Sequence, residues 1–217
     1  MRGRSASRHR TLTVAATAAL ALAWPVQADA AAPAAAPDRP AAAVAAGAAR
    51  STDVDYATWQ RDVAAALAPA RPYVEQRTAN ASGEKLAIVL DVDNTSLETD
   101  FHSFWEYPTP AVRPALDLAR YADSRGVDVF FVTARPGILH GLTARNLRSA
   151  GYPVDGLYVR DLPDLFGEVA AYKTEKRAEI EAKGYRIIAN IGNRPSDLAG
   201  GHAERVFKLP DYDGELS

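Results

Sequence analysis

The chain has 217 residues, with 25 Lys plus Arg against 27 Asp plus Glu and no cysteine. That length holds one ordinary domain, and the missing cysteine excludes a disulfide framework, thiol catalysis and a cysteine-based zinc centre. Residues 51–217 carry 19 Lys plus Arg against 25 Asp plus Glu, a net charge of −6; an acidic domain without a basic stripe is a poor partner for a nucleic-acid polymer, although short nucleotides stay open as substrates.

The N-terminus reads as a targeting segment. Arg2, Arg4, Arg8 and Arg10 precede an uncharged stretch over residues 11–27, and small residues Ala28 and Ala30 follow. Basic, then apolar, then A-x-A is the order of a secretory signal peptide, here residues 1–30. The apolar part falls short of the ~20 residues of a spanning helix, and Pro25 interrupts its end. Without a cysteine to carry a lipid, the mature chain is expected to be secreted, with no stable membrane anchor. Residues 31–52 are almost wholly Ala and Pro, too poor in large apolar groups to offset ordering entropy; they read as a disordered spacer before a folded part at residues 53–217.

In chain order, residues 55–68 form the first predicted helix, with Trp59, Val63, Ala66 and Leu67 on one face. A short helix follows at 71–78, and Asn80, Ser82 and Gly83 break the pattern. The run Leu86-Ala-Ile-Val-Leu90 is the first strand. Further strands are predicted at 127–132, 156–159, 186–191 and 205–209, with helices between them at 114–124, 137–149 and 168–183. Short apolar strands alternating with helices indicate an α/β three-layer sandwich around a mostly parallel, Rossmann-like sheet. Ligands of such sheets bind beyond the carboxyl ends of the strands. There this sequence places Asp91-Val-Asp93-Asn-Thr95, Thr133-Ala-Arg135 and Gly192-Asn193-Arg-Pro-Ser-Asp197.

These motifs carry a resemblance. Asp91-Val-Asp93-Asn-Thr95 after an apolar strand is similar to the first motif of the haloacid dehalogenase superfamily, and Phe130-Phe-Val-Thr133-Ala-Arg135 to its second. Lys173, in Tyr172-Lys-Thr-Glu-Lys-Arg177, fits the third, and Ile191-Gly-Asn-Arg-Pro-Ser-Asp197 the fourth, usually written G-D-x-x-x-D. The helices before Leu86 and the ending Phe207-Lys-Leu-Pro-Asp resemble the secreted acid phosphatase branch, which includes class B-like enzymes and plant vegetative storage proteins.

The resemblance implies a phosphomonoesterase acting through an aspartyl phosphate. A carboxylate such as Asp91 can attack phosphorus and split hydrolysis into two steps, and positive charge must surround the equatorial oxygens. By resemblance, Asp93 is general acid and base, Thr133 and Lys173 bind phosphate, and Mg2+ is held by Asp91, the Asp93 carbonyl, Asn193 and Asp197. Lys176, one helical turn from Lys173, competes for the lysine role. Arg135 and Arg177 read either as phosphate contacts or as ordinary ion-pair residues. Asn193 stands where the family usually has aspartate, leaving two formal metal carboxylates.

Other readings compete. D-x-D-x-T also opens a calcium loop, but such a loop wants glycine where Ser96 stands and a helix before it. The aspartates could also serve as turn or capping residues. Ser96 to Val132 leaves no room for a cap domain, so the site is expected to be open and its phosphomonoester substrates varied. The aromatic insert Phe101-His102-Ser-Phe104-Trp105-Glu-Tyr107 reads equally as a wall for an aryl or nucleoside leaving group or as core. Alternatives to hydrolysis are a catalytically weak storage or phosphate-binding protein, or a phosphotransferase.

Overall fold

The computed structural model describes residues 53–103 and 105–216; the segments read from sequence as signal peptide and spacer lie outside them. Helices α1 (Tyr56–Leu67) and α2 (Ala70–Ala79) lead into β1 (Lys85–Leu90). Then come α3 (Arg113–Ser124), β2 (Asp128–Pro136), α4 (His140–Ala150), β3 (Gly156–Arg160), α5 (Val169–Ala182), β4 (Tyr185–Gly192), α6 (Pro195–Leu198) and β5 (Arg205–Lys208). The five strands lie in the order β3-β2-β1-β4-β5, every neighbouring pair parallel.

Alternation along β1 explains the two cores, because successive side chains of a strand point to opposite faces. Leu86, Ile88 and Leu90 join Trp59, Val63, Leu116, Ala119, Phe131 and Leu147 on the face covered by α1–α4. Ala87 and Val89 join Phe130, Val132, Tyr172 and Ile180 on the face covered by α5. Ala87 pairs with Ile187 and Ile88 with Ala189, so Ile188 is an extra residue in β4. Such a bulge re-aims the side chains beyond it, and Asn190 donates from Nδ2 to the Asp197 carbonyl at 2.9 Å.

The predicted elements fall where expected, with two differences. β2 continues to Pro136, beyond its expected end at Val132, and Thr133 and Arg135 lie where its register to β3 shifts, between Val132 and Pro136. The fourth motif also contains α6, a single turn of four residues, too short to leave a periodic pattern. Among the described residues the β1–α3 connection holds a 3-10 turn, Thr99–Phe101, and the isolated bridges Asp93–Leu97 and Leu97–Ala111, and no cap domain is inserted there or between β2 and β3.

Candidate active site

The nucleophile loop begins where β1 stops. The Asp91 amide donates to Ile191 of β4 at 3.0 Å, and the Ser96 hydroxyl donates back to the Asp91 carbonyl at 2.5 Å. Between them the chain must reverse, and Asn94 does this at φ 52°, a left-handed conformation that asparagine tolerates better than most residues. Its Oδ1 accepts from the Asp100 amide at 3.0 Å and the Thr99 hydroxyl at 3.3 Å.

Three charged groups meet below the loop. Lys173, from the first turns of α5, donates to Asp91 Oδ1 at 2.5 Å and to Asp197 Oδ1 at 2.6 Å. All three are buried. Asp197 is fixed by α6, where its Oδ2 accepts the Arg194 amide at 2.7 Å. Gly192 makes this approach possible: a Cβ there would lie 2.3 Å from that of Asp197. Lys173 is thus the lysine that reaches the site. Lys176 faces Glu175 and Glu179 at 3.2 and 3.5 Å instead.

Burial pushes Asp91 up to about 7; Lys173 opposes this, while Asp197 and Asp93 add to it. For Lys173, burial works against the charge, but the two carboxylates outweigh it and hold the amine above its ordinary value.

Asp93 is part-exposed and held by Arg135, whose Nη2 lies 2.7 Å from Oδ1 and Nε 3.0 Å from Oδ2. That fork, with a further bond from Arg135 Nη1 to the Thr143 hydroxyl at 3.2 Å, fixes the Asp93 rotamer. Arg135 is the site residue that sequence reading left undecided. Its signal was its place at the carboxyl end of β2, two residues beyond Thr133. Thr133 is buried, and its hydroxyl accepts the Arg135 amide at 3.2 Å. Thr95 donates to the buried Asn193 Oδ1 at 3.2 Å, joining the first and fourth motifs.

Arg177 does not join the site. Its guanidinium is buried and donates to the carbonyls of Asp197, Ala199 and Gly201, bracing the α6 turn. His102 stays outside as well, lying 3.1 Å from Glu98 and 3.0 Å from Glu106. The aromatic insert divides. Phe101 stacks on Trp59 with centroids 4.4 Å apart, whereas Trp105 and Tyr107 are exposed. Phe104 lies outside the described residues.

The resulting pocket has a volume of about 330 Å³ and is lined by Asp91, Asp93, Ala134, Val169, Lys173, Arg194, Ser196 and Asp197. Three carboxylates, Asp91, Asp93 and Asp197, face two close cations, Lys173 and Arg135. When all are ionised, one negative charge is left over. Among the described residues no three His, Cys, Asp or Glu side chains converge as a ready-made cage. The donors on offer, carboxylates, the Asn193 amide and main-chain carbonyls, are all hard oxygens, and such a set fits a hard divalent cation that keeps several waters.

The fold and site define an α/β protein that gathers carboxylates and cations at the carboxyl edge of a parallel sheet. The chain belongs to the family described as haloacid dehalogenase superfamily, subfamily IIIB (acid phosphatase), whose model matches residues 9–215. It is 34% identical over 106 residues to the stem 28 kDa glycoprotein of Glycine max, covering 47% of this chain and 42% of that protein. It is 32% identical over 117 residues to acid phosphatase 1 of Solanum lycopersicum, covering 52% and 46%. The chain thus spans less than half the length of these curated relatives. Among solved structures, the class C acid phosphatase from Bacillus anthracis superposes with a TM-score of 0.59 at 19% identity, over 73% of this chain and 80% of that one. At that identity the likeness is one of fold. Among the described residues no helix is long and apolar enough to cross a membrane.

Proposed function

We propose that the protein hydrolyses phosphomonoesters through a phosphorylated Asp91, with Mg2+ as cofactor. The observation that carries this reading is the buried Asp91 carboxylate at the end of β1, held by Lys173 at 2.5 Å on the floor of an open pocket. A free carboxylate oxygen of Asp91 attacks phosphorus, the P–O bond to the alcohol breaks, and the leaving alkoxide takes a proton from the Asp93 carboxyl. Water then attacks the acyl phosphate, giving its proton to the Asp93 carboxylate, and phosphate leaves with Asp91 restored.

Lys173 places a compact positive charge beside both nucleophile and phosphate. The Arg135 fork fixes the carboxylate of Asp93, which lines the pocket. Thr133 acts through the end of β2, its hydroxyl holding the Arg135 amide. A bound Mg2+ would be held by the Asp91 and Asp197 carboxylates, the Asn193 amide oxygen and the Asp93 carbonyl, and it supplies the charge that lets two anions approach. Burial raises Asp91 above the ordinary carboxylate range, and a cation beside it favours the ionised nucleophile. The basic, apolar and small-residue order of residues 1–30 supports secretion.

Hydrolysis of p-nitrophenyl phosphate tests the reading. Magnesium-dependent turnover that Asp91→Asn abolishes supports it. Folded protein with no turnover at any magnesium concentration rejects it in favour of a phosphate-binding or storage role.

A further inference from the structure

Nine large hydrophobic side chains are exposed among the described residues. Six of them, Trp105, Tyr107, Ile138, Leu162, Leu165 and Phe166, lie on the connections that leave the carboxyl ends of β1, β2 and β3. Those strands are neighbours in the sheet, so the connections that carry the six leave the same half of the sheet's carboxyl edge. The other side, beyond β4 and β5, presents Arg194, Ser196, Lys208 and Asp211. An apolar concentration of this kind on an otherwise acidic domain marks a contact surface rather than ordinary scatter.

The rim is built, not loose. Pro136 pairs with Arg160 across β2 and β3. At the next residue of each connection, Gly137 sits so close to Asp161 that an added Cβ would fall 1.5 Å from Oδ1. Ile138 and Leu162 follow directly, 91% and 70% exposed. The β3–α5 connection is pinned from beneath by the buried Arg160, which donates to the Asp164 and Gly167 carbonyls at 2.7 and 2.5 Å. That grip holds Phe166, 86% exposed, just ahead of Val169, which lines the pocket.

We infer that this rim is a subsite for the leaving group, and that the preferred substrates are amphiphilic phosphomonoesters whose alcohol is a long apolar chain. The inference rests on the phosphatase reading above and deepens it. Three adjacent strands place their loops over about 10 Å, the reach of a chain of roughly eight carbons and more than one ring needs. The six side chains carry no hydrogen-bonding group beyond the ring polar atoms of Trp105 and Tyr107, and the exposed carboxylates of Glu106, Asp161 and Glu168 share their connections. A chain lying along it, its phosphate on Asp91 and Lys173, leaves the rim's apolar area half-covered and removes one side of the chain from water.

The test compares kcat/KM for glycerol 2-phosphate, butyl phosphate and octyl phosphate, all below micelle-forming concentrations. Full burial of a methylene corresponds to roughly four-fold and one-sided burial to about half that free energy. The four methylenes between butyl and octyl therefore give a gain on the order of 10-fold. In the double variant Ile138→Ser, Phe166→Ser, both positions exposed, the gain falls to about 3-fold or less, with glycerol 2-phosphate turnover unchanged. Equal kcat/KM for butyl and octyl esters in the native protein overturns the subsite. If no ester is turned over, the phosphatase reading fails by itself. Calorimetric binding of butyl and octyl phosphate to Asp91→Asn then decides the rim, tighter octyl binding supporting it and equal binding overturning it. A dimer that the double variant dissolves, with no dependence on chain length, assigns the rim to a second copy and also overturns it.

Discussion

Replacing Lys173 with methionine isolates the electrostatic design of the site. The ammonium holds Asp91 and Asp197 at 2.5 and 2.6 Å, so their near oxygens are no more than about 5 Å apart. With the cation gone, two buried carboxylates repel each other by about 3 kcal/mol at an effective dielectric near 20, and each loses a charged hydrogen bond. Breaking a buried ion pair from one side costs about 3–5 kcal/mol. Urea unfolding in EDTA at pH 8 is the assay, with the shift in midpoint read at constant slope. The loss should shrink by at least half at pH 5, where the burial that lifts Asp91 to about 7 lets a carboxyl replace a carboxylate. It should shrink again at pH 8 on adding a divalent cation. A loss below about 1 kcal/mol at pH 8, or the same loss at both pH values, refutes the reasoning.

Asp91 itself links stability to pH. Its native pKa is raised above the ordinary carboxylate value, so the folded chain binds more protons than the unfolded one between about pH 4 and 7, and stability from this group falls as pH rises through that window. Asp91→Asn should flatten this dependence, as followed by thermal unfolding in EDTA from about pH 5 to 8; a variant that keeps the native slope of stability against pH contradicts it. Trp59, fully buried and stacked on Phe101, should cost about 3–5 kcal/mol as Trp59→Ala, while turnover of the remaining folded protein stays close to native. Asn193→Asp adds a carboxylate beside the candidate metal ligands, so calorimetry should find tighter Mg2+ binding, and no change would place the ion elsewhere.

Much of the sheet could be read from the sequence because its strands are buried on both faces and written as apolar runs. The end of β2 could not, since Thr133 and Arg135 are polar and lie in a stretch whose register to β3 shifts between Val132 and Pro136, where no simple alternation marks the strand. Ile188 looks like any other strand residue, so the bulge that turns Asn190 toward Asp197 leaves no mark in the pattern. Asp91, Asp93 and Asp197 were legible because strand ends converge in this topology. The roles of the arginines depend on where long side chains turn. Arg135 reaches across to Asp93, while Arg177 folds back under α6. Ile138, Leu162 and Phe166 were invisible as a group, because an apolar residue near a strand end reads as core until its exposure is known.

The most direct test of the account is to quench a turnover reaction in acid and map phosphate on the full chain by mass spectrometry. The account predicts one phosphoryl group on the peptide carrying Asp91, removable by hydroxylamine and missing in Asp91→Asn. Turnover with no such adduct, or with phosphate on another residue, would contradict it.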